Sequence, residues 1–259
     1  MLAFIRMLAM LVCLSLVFLA ACVYCLIRPC HRNSVYYFGR LFAWFGYLVG
    51  IKVEVRYTDK SSLPRQGVYI ANHQSSYDML TLPFALRPGT VTIGKKSLVW
   101  LPLFGQIYWL TGNILINRDK SSRASLTLDQ SAKKIRKRSI SVWMFPEGTR
   151  SHGRGLLPFK AGAFHLARRA NEPIVPVCCS STHQQIKLNR WNNGRVIIEV
   201  GKPIDCSQWP KNELRHEIQS LHLRMQQRIY QLTIEARGDA ADYQGCPASK
   251  LKGGSISGI

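Results

Sequence analysis

The stretch "VYIANHQSSYDML", residues 68 to 80, joins a run typical of a buried strand to a polar segment that contains His73 and Asp78. In one regular helix this His-x-x-x-x-Asp spacing would set the two side chains roughly 140° apart, so they could not share a face. They can meet if His73 lies on a loop and Asp78 lies in the first turn of a helix. Asp78 would then accept a hydrogen bond from one ring nitrogen and leave the other free as a base. By itself the spacing is weak, because a capping Asp beside a structural His is the more common outcome.

The rest of the chain predicts an α/β domain around this strand. Short β-branched runs bounded by Gly, Pro or Asn predict six more strands, at 53–57, 91–94, 114–117, 141–145, 174–179 and 195–200. Helices are predicted between them and at the end, at 122–138, 159–170 and 211–236. Alternating strands and helices favour a largely parallel sheet flanked by helices, here within 52–236. We expect the Gly/Ser-rich end, 237–259, to be a disordered tail.

The first fifty residues are strongly apolar and predict a membrane attachment. Residues 7–27 carry no charge, and a run of roughly 20 such residues is long enough to cross a bilayer as a helix. Arg6 precedes the run and several arginines follow it, so the positive-inside rule places the bulk of the chain in the cytoplasm. We therefore expect a transmembrane anchor at 1–32. The aromatic segment 33–51 is interpreted as an interfacial helix, with a core helix of the domain as the alternative.

A competing interpretation of this segment is an exported lipoprotein, because "LAAC", residues 19–22, resembles a bacterial lipobox. Two features oppose it: the apolar run continues past Cys22, and only Arg6 makes the preceding region basic. Protease accessibility in intact cells and inverted vesicles separates the two. A cytoplasmic-side domain at a bacterial inner membrane is the favoured prediction.

The chain is very basic, with 35 Lys and Arg against 14 Asp and Glu and a formal net charge of +21. Such a balance implies an anionic partner: a membrane surface, a nucleic acid or a phosphorylated substrate. The basic run "KKIRKR", residues 133–138, ends a predicted helix and has no interleaved aromatic residues, so no nucleic acid is expected. Salt-dependent retention on DNA or RNA tests that alternative. No cysteine or histidine spacing predicts a metal site.

A second motif, "FPEGTRS" at 145–151, follows another predicted strand. Pro146 keeps Phe145 extended, and Gly148 allows a tight turn whose free N–H groups, with Arg150, can hold a phosphate. The alternative is an ordinary turn with a local ion pair between Glu147 and Arg150. Arg118 also follows a strand, and ligands bind at the carboxyl ends of parallel strands.

Taken together, the motifs resemble the 1-acylglycerol-3-phosphate acyltransferases of the glycerolipid acyltransferase superfamily. The matching blocks occur in order within 68–180: "NHQSSYD" (72–78), "GNILINR" (112–118), "FPEGTRS" (145–151), "PFKAGAF" (158–164) and "IVPV" (174–177). One departure is Ser97, where the family pattern leads us to expect an acidic residue.

The resemblance implies a glycerolipid acyltransferase-like domain and a role for each matching residue. His73 would be the general base and Asp78 its orienting partner, without a metal. The acceptor phosphate would be bound by Arg118, Glu147, Gly148, Thr149 and Arg150, with possible support from Lys160 and Gly162. The acceptor would be the membrane lipid lysophosphatidic acid, and the product phosphatidic acid.

The resemblance further implies an acyl-CoA or acyl carrier protein thioester as co-substrate and no bound cofactor. No covalent nucleophile is evident, so direct attack without an acyl-enzyme is expected. A sibling enzyme acting on glycerol 3-phosphate, another lysophospholipid or a lyso-aminolipid is the nearest alternative, and a panel of acceptors separates them. The basic surface also suits contact with an anionic membrane.

Overall fold

The structure, a computed structural model, describes residues 1–116, 124–210 and 212–238. Within these residues the chain forms one seven-stranded sheet and seven α-helices. The strands are β1 Lys52–Tyr57, β2 Val68–Ala71, β3 Thr90–Lys95, β4 Ile114–Ile116, β5 Ser141–Met144, β6 Ile174–Cys179 and β7 Arg195–Val200. The helices are α1 Leu2–Ile27, α2 Ser34–Leu48, α3 Asp78–Thr81, α4 Phe104–Leu110, α5 Ala124–Arg138, α6 Gly162–Ala170 and α7 Leu214–Arg237.

The sheet runs in the order β1-β7-β6-β2-β5-β3-β4. The five strands from β6 to β4 are parallel, whereas β7 is antiparallel to β6 and pairs in parallel with β1. All seven predicted strands and the largely parallel sheet are thereby confirmed. Because β2 lies between β6 and β5, the loops that follow these three strands meet at one edge of the sheet.

Helices cover both faces of the sheet. On one face, alternate strand residues such as Tyr69 and Val177 pack against α2 and the segment that follows α3. On the other, Ile70 and Cys178 pack against α6 and α7. The apolar stripe of α7 predicted from the sequence is buried here, at Leu214, Ile218, Leu221, Met225 and Ile229.

Helix α1 is long and apolar enough to cross a membrane, and it contacts the domain through one side and near both ends. One stripe of α1, including Val17 and Ala21, packs on α2 and α4. Near its start Arg6 binds the β6–β7 connection, and just beyond its end the N–H of Cys30 donates to the carbonyl of Leu110. Both ends of the predicted anchor therefore contact the globular domain.

Helix α2 combines the two interpretations that the sequence left open. Val35, Phe38 and Gly46 are buried, and a Cβ at Gly46 would lie 3.1 Å from the carbonyl oxygen of Leu80. The opposite face exposes the large apolar side chains of Tyr37, Leu41, Trp44, Tyr47 and Leu48. The helix thus packs on the core with one side and leaves an aromatic side uncovered, next to the exposed side of α1.

Candidate active site

His73 and Asp78 form a hydrogen-bonded pair at the carboxyl end of β2. His73 lies on the loop and Asp78 is the first residue of α3, the arrangement that the spacing required. Oδ2 of Asp78 lies 2.7 Å from Nδ1 of His73 and also accepts the N–H groups of Gln74 and Ser75, at 2.7 and 3.2 Å. A carboxylate oxygen accepting this many donors fixes the proton of the imidazole on Nδ1. Nε2 therefore carries the lone pair and can act as a base.

The loop that carries His73 is fixed to the end of β6 by two buried amide side chains. Asn72 mimics a strand residue, since its Nδ2 donates to the carbonyl of Cys179 and its Oδ1 accepts the N–H of the same residue, both at 2.9 Å. The amide of Gln74 donates to the carbonyl of Ser180 and accepts the N–H of Thr182. The end of β6 thus holds the residues that precede and follow His73.

On its other side, the same loop is held by the segment that follows β5. The N–H of Ser151 donates to the carbonyl of His73 at 2.8 Å, and the ring of Phe145 stacks on the imidazole with centroids 4.0 Å apart. A flat apolar ring on one face restricts how the imidazole can tilt. Together with Asp78, this contact orients the free nitrogen.

Glu147 contributes to this support from the interior. Its carboxylate accepts the N–H of His73 at 2.6 Å and the N–H of Leu157 at 2.9 Å, and its side chain is only 3% exposed. Burial raises the pKa of Glu147 to about 7, against the lowering effect of these two N–H donors. The side chain therefore bridges two loops and faces away from solvent.

The next residues turn outward. Gly148 has a φ of +73°, which favours glycine, and its N–H closes a tight turn on the carbonyl of Phe145 at 3.0 Å. Among the described residues, the N–H groups of Thr149 and Arg150 and the guanidinium of Arg150 have no acceptor. Lys160 lies over this turn, because a Cβ at Gly148 would be 2.9 Å from its Nζ. The turn thus combines these two N–H groups, the nearby ammonium of Lys160 and Arg150, which are the kinds of group that bind an anion.

The structure brings together most, but not all, of the residues predicted from the sequence. His73, Asp78, Gly148, Thr149, Arg150 and Lys160 lie at the same edge of the sheet. Gly162 begins α6, where a Cβ would meet nothing within 4 Å, so packing does not require a glycine there. Arg118 lies outside the described residues.

Both carboxylate oxygens of Glu147 accept backbone N–H groups inside the fold, so the contacts favour a supporting role for this residue over direct binding of a phosphate. The alternative ion pair between Glu147 and Arg150 is absent from the described residues. Three supporting residues were missed by sequence reasoning: Asn72, Gln74 and Phe145. A sequence signal existed for the two amides, since they flank His73 in an otherwise uncharged stretch.

Comparison with known proteins shows the family of this chain. Residues 52–180 match the family model described as Acyltransferase. The chain is 45% identical to the 1-acyl-sn-glycerol-3-phosphate acyltransferase of Haemophilus influenzae over 92% of its own length and 100% of that protein. It is 49% identical to the enzyme of that name from Escherichia coli, over 82% of this chain and 87% of that one. The chain belongs to the 1-acyl-sn-glycerol-3-phosphate acyltransferase family.

This membership makes the protein an O-acyltransferase, and the fold agrees with that of a solved acyltransferase. The crystal structure of the 1-acyl-sn-glycerophosphate (LPA) acyltransferase PlsC from Thermotoga maritima matches with a TM-score of 0.58 at 22% identity. The match covers 86% of this chain and 97% of that one. The acyltransferase region 52–180 contains the His73–Asp78 pair, the turn at Gly148 and the strand β6 that fixes the loop.

Proposed function

We propose that this acyltransferase transfers a fatty acyl group from a thioester to the sn-2 hydroxyl of 1-acylglycerol 3-phosphate, giving phosphatidic acid, with His73 as general base. The names of the relatives support the acceptor and the product. The single observation that carries the mechanism is the His73–Asp78 pair, whose free Nε2 lies beside a turn suited to an anion.

In this mechanism, Nε2 of His73 removes the proton of the acceptor hydroxyl as its oxygen attacks the thioester carbonyl. Asp78 holds the Nδ1–H and stabilises the imidazolium that forms. Collapse of the tetrahedral intermediate breaks the C–S bond, and the imidazolium returns its proton to the departing thiolate. The nearest buried thiol, Cys179, is a poor nucleophile because burial raises its pKa well above the ordinary value. This favours direct attack without an acyl-enzyme.

The phosphate of the acceptor is assigned to the turn at Gly148. The N–H groups of Thr149 and Arg150, the Arg150 guanidinium and the Lys160 ammonium can surround it, and charge-assisted bonds of this kind are the strong ones. We extend the proposal to Arg118 from the sequence motif alone. Glu147 acts as a positioning residue for the loop of His73.

The donor is an acyl thioester of coenzyme A or of acyl carrier protein, used as a co-substrate without a bound cofactor. Both carriers are anionic, and the net charge of +21 suits either. No specific contact of the described residues selects one of them.

We further propose that the enzyme works at the cytoplasmic face of a bacterial inner membrane, anchored by α1 and α2. The sequence predicted a helix that crosses the bilayer. A crossing helix would place one end about 30 Å beyond the domain, across the hydrocarbon core. Because both ends of α1 contact the domain, insertion into one leaflet fits the contacts better.

The decisive experiment measures phosphatidate formation from lysophosphatidate by membranes that carry wild type, His73→Ala, Asp78→Ala or His216→Ala. His216 is an exposed histidine of α7 and serves as the matched control. We expect the first two variants to lose most of their activity and the control to keep it. Near-wild-type turnover by His73→Ala would exclude the mechanism. Preference for another lysolipid in the same assay would show that the acceptor is not lysophosphatidate.

A further inference from the structure

The β6–β7 connection carries an exposed tip, residues 187–191, beside the start of α1. Arg6, the one charged residue of α1, is only 5% exposed and binds this tip. Its guanidinium donates to the carbonyls of Leu188 and Arg190 at 2.8 and 2.5 Å and to that of Trp191 at 3.1 Å. The N–H of Ala3 adds a bond to Oδ1 of Asn189 at 2.9 Å. The tip and the first turns of α1 are therefore tied together.

The base of this connection is firmly held by the protein. Asn193 is buried and its Nδ2 donates to the carbonyls of Val49 and Lys187, at 2.7 and 3.0 Å. Its Oδ1 accepts the N–H of Lys187 at 2.8 Å, and its own N–H donates to the carbonyl of Gly50 at 2.8 Å. The tip thus has a defined shape without any external partner.

This shape presents Trp191 to the outside. The side chain is 78% exposed, with the Arg6 guanidinium 5.7 Å from its ring centroid. Beside it, α1 exposes the apolar side chains of Met1, Phe4, Ile5, Met7 and Leu8. Lys187 and Arg190 are exposed on the tip, and no acidic side chain pairs with them in the described part of the chain. Aromatic, apolar and cationic groups therefore occur side by side.

We propose that residues 187–191 form a third membrane-contacting element, which inserts Trp191 at the headgroup level of an anionic bilayer. The inference rests on the membrane anchoring proposed above and extends it to a loop outside α1 and α2. Tryptophan prefers the boundary between headgroups and acyl chains, where one part of its ring is apolar and its N–H stays wet. Lys187 and Arg190 add attraction to anionic lipids.

The surface of α1 supports a bilayer as the occupant. The tip is continuous with the apolar side of the helix whose length and composition fit a membrane. Arg6 directly precedes the uncharged apolar run of α1, so the tip that it binds lies beside the start of that run. A bilayer can cover both surfaces at once, because hydrogen bonds tie the tip to the first turns of the helix.

A direct test uses full-length protein in vesicles of anionic phospholipid brominated near the carbonyl end of the acyl chains. The chain has six tryptophans, so the contribution of Trp191 is the difference in quenched emission between wild type and Trp191→Phe. Trp209, which stacks on Phe164 on the far side of the sheet, provides the control variant Trp209→Phe. We expect Trp191→Phe to lose part of the quenched emission and Trp209→Phe to lose none. Equal quenching of wild type and Trp191→Phe would overturn the proposal, as would an equal loss in both variants.

A kinetic test measures how the loss of this contact changes the KM for a substrate that is presented in a membrane. Trp191→Glu should raise KM for lysophosphatidate in anionic vesicles on the order of tenfold, through the loss of one aromatic anchor, and leave activity in detergent micelles near wild type. The control is Leu223→Glu, an exposed apolar position of α7. A Trp191→Glu protein with unchanged KM in vesicles, or an equal defect in micelles, contradicts the proposal. The quenching test needs no turnover, so it stands even if wild type acylates another acceptor.

Discussion

At the scale of single residues, the turn after β5 gives different surroundings to two charged residues that are close in the sequence, Glu147 and Arg150. Glu147 points into the fold and bridges two backbone N–H groups, while Arg150, beyond Gly148, is partly exposed. The cause is Gly148, whose φ of +73° reverses the chain between them. The spacing of the motif does not indicate this change of chain direction, so the sequence predicted both residues as phosphate ligands.

The role of Arg150 predicts a change in acceptor binding. Arg150→Ala should raise KM for lysophosphatidate about 10- to 100-fold, the equivalent of about 1.5–3 kcal/mol for hydrogen bonds to a charged group. The value of kcat should change little, because the arginine binds phosphate in the ground and transition states alike. Steady-state kinetics in mixed micelles measure both, with exposed Arg215 of α7 mutated to Ala as the control. A loss confined to kcat contradicts phosphate binding.

The raised pKa of Glu147 predicts a pH dependence of stability. The folded-state pKa, about 7, lies above the ordinary value of 4.5, so between these values the folded protein holds a proton that the unfolded chain has released. The free energy of unfolding should therefore fall as pH rises through this window, by on the order of 3 kcal/mol, and level off above it. Thermal unfolding in detergent between pH 4.5 and 8 measures this. Glu147→Gln should flatten the slope; parallel curves for the two proteins contradict it.

At the scale of elements, strands that are distant in the sequence are joined by side chains that imitate backbone. Asn72 extends β2 by pairing with both backbone groups of Cys179 at the end of β6. Gln74 continues the pairing along residues 180–182. The loop of His73 therefore behaves as an extension of the sheet, although its residues are not strand residues.

This pairing predicts that Asn72→Leu destabilises the protein without removing a catalytic group. The N–H of Cys179 loses its acceptor and its carbonyl loses the stronger of its two donors; an unpaired buried group costs about 1–3 kcal/mol. We expect a clear drop in the melting temperature in detergent. Gln219→Leu, at an exposed position of α7, is the matched control and should melt near wild type. Equal melting temperatures of Asn72→Leu and wild type would contradict the proposed contribution of Asn72 to stability.

The elements also mark what the sequence could predict. The seven strands followed from β-branched runs between turn residues, and the His73–Asp78 contact followed from helix geometry together with a strand end. The antiparallel orientation of β7 and the order of the strands in the sheet could not be predicted in this way, because they depend on pairings between distant segments. The inward direction of Glu147 and the stacking of Phe145 depend on tertiary packing, which a motif does not encode.

At the scale of the whole molecule, the exposed apolar side of α1 and α2 lies on the face of the sheet opposite α6 and α7. The candidate active site lies at the edge between these faces, where the carboxyl ends of the parallel strands meet. In the proposed function, this position leaves His73 open to a lipid acceptor from the α1–α2 side and to the acyl donor from the opposite side.

The contacts at both ends of α1 predict the side on which the N-terminus lies. A protease-cleavable tag before Met1 and another in the exposed turn at Ser61 should be cut from the same side of sealed inverted vesicles. Cleavage is followed by immunoblotting, with detergent-permeabilised vesicles as the control. Tags that are cut from opposite sides would show that α1 crosses the bilayer.

The hydrogen bonds between Arg6 and the β6–β7 connection can form only after both segments have been synthesised. Arg6 and Leu188 are 182 residues apart, so a ribosome that adds about 5–20 residues per second makes the partner roughly 10–40 seconds after the helix. During that interval the guanidinium of Arg6 lacks the carbonyl groups of Leu188, Arg190 and Trp191 that it binds in the folded protein. In the proposed enzyme, α1 is therefore made well before the loop that binds its only charged side chain, so this contact is among the later ones to form.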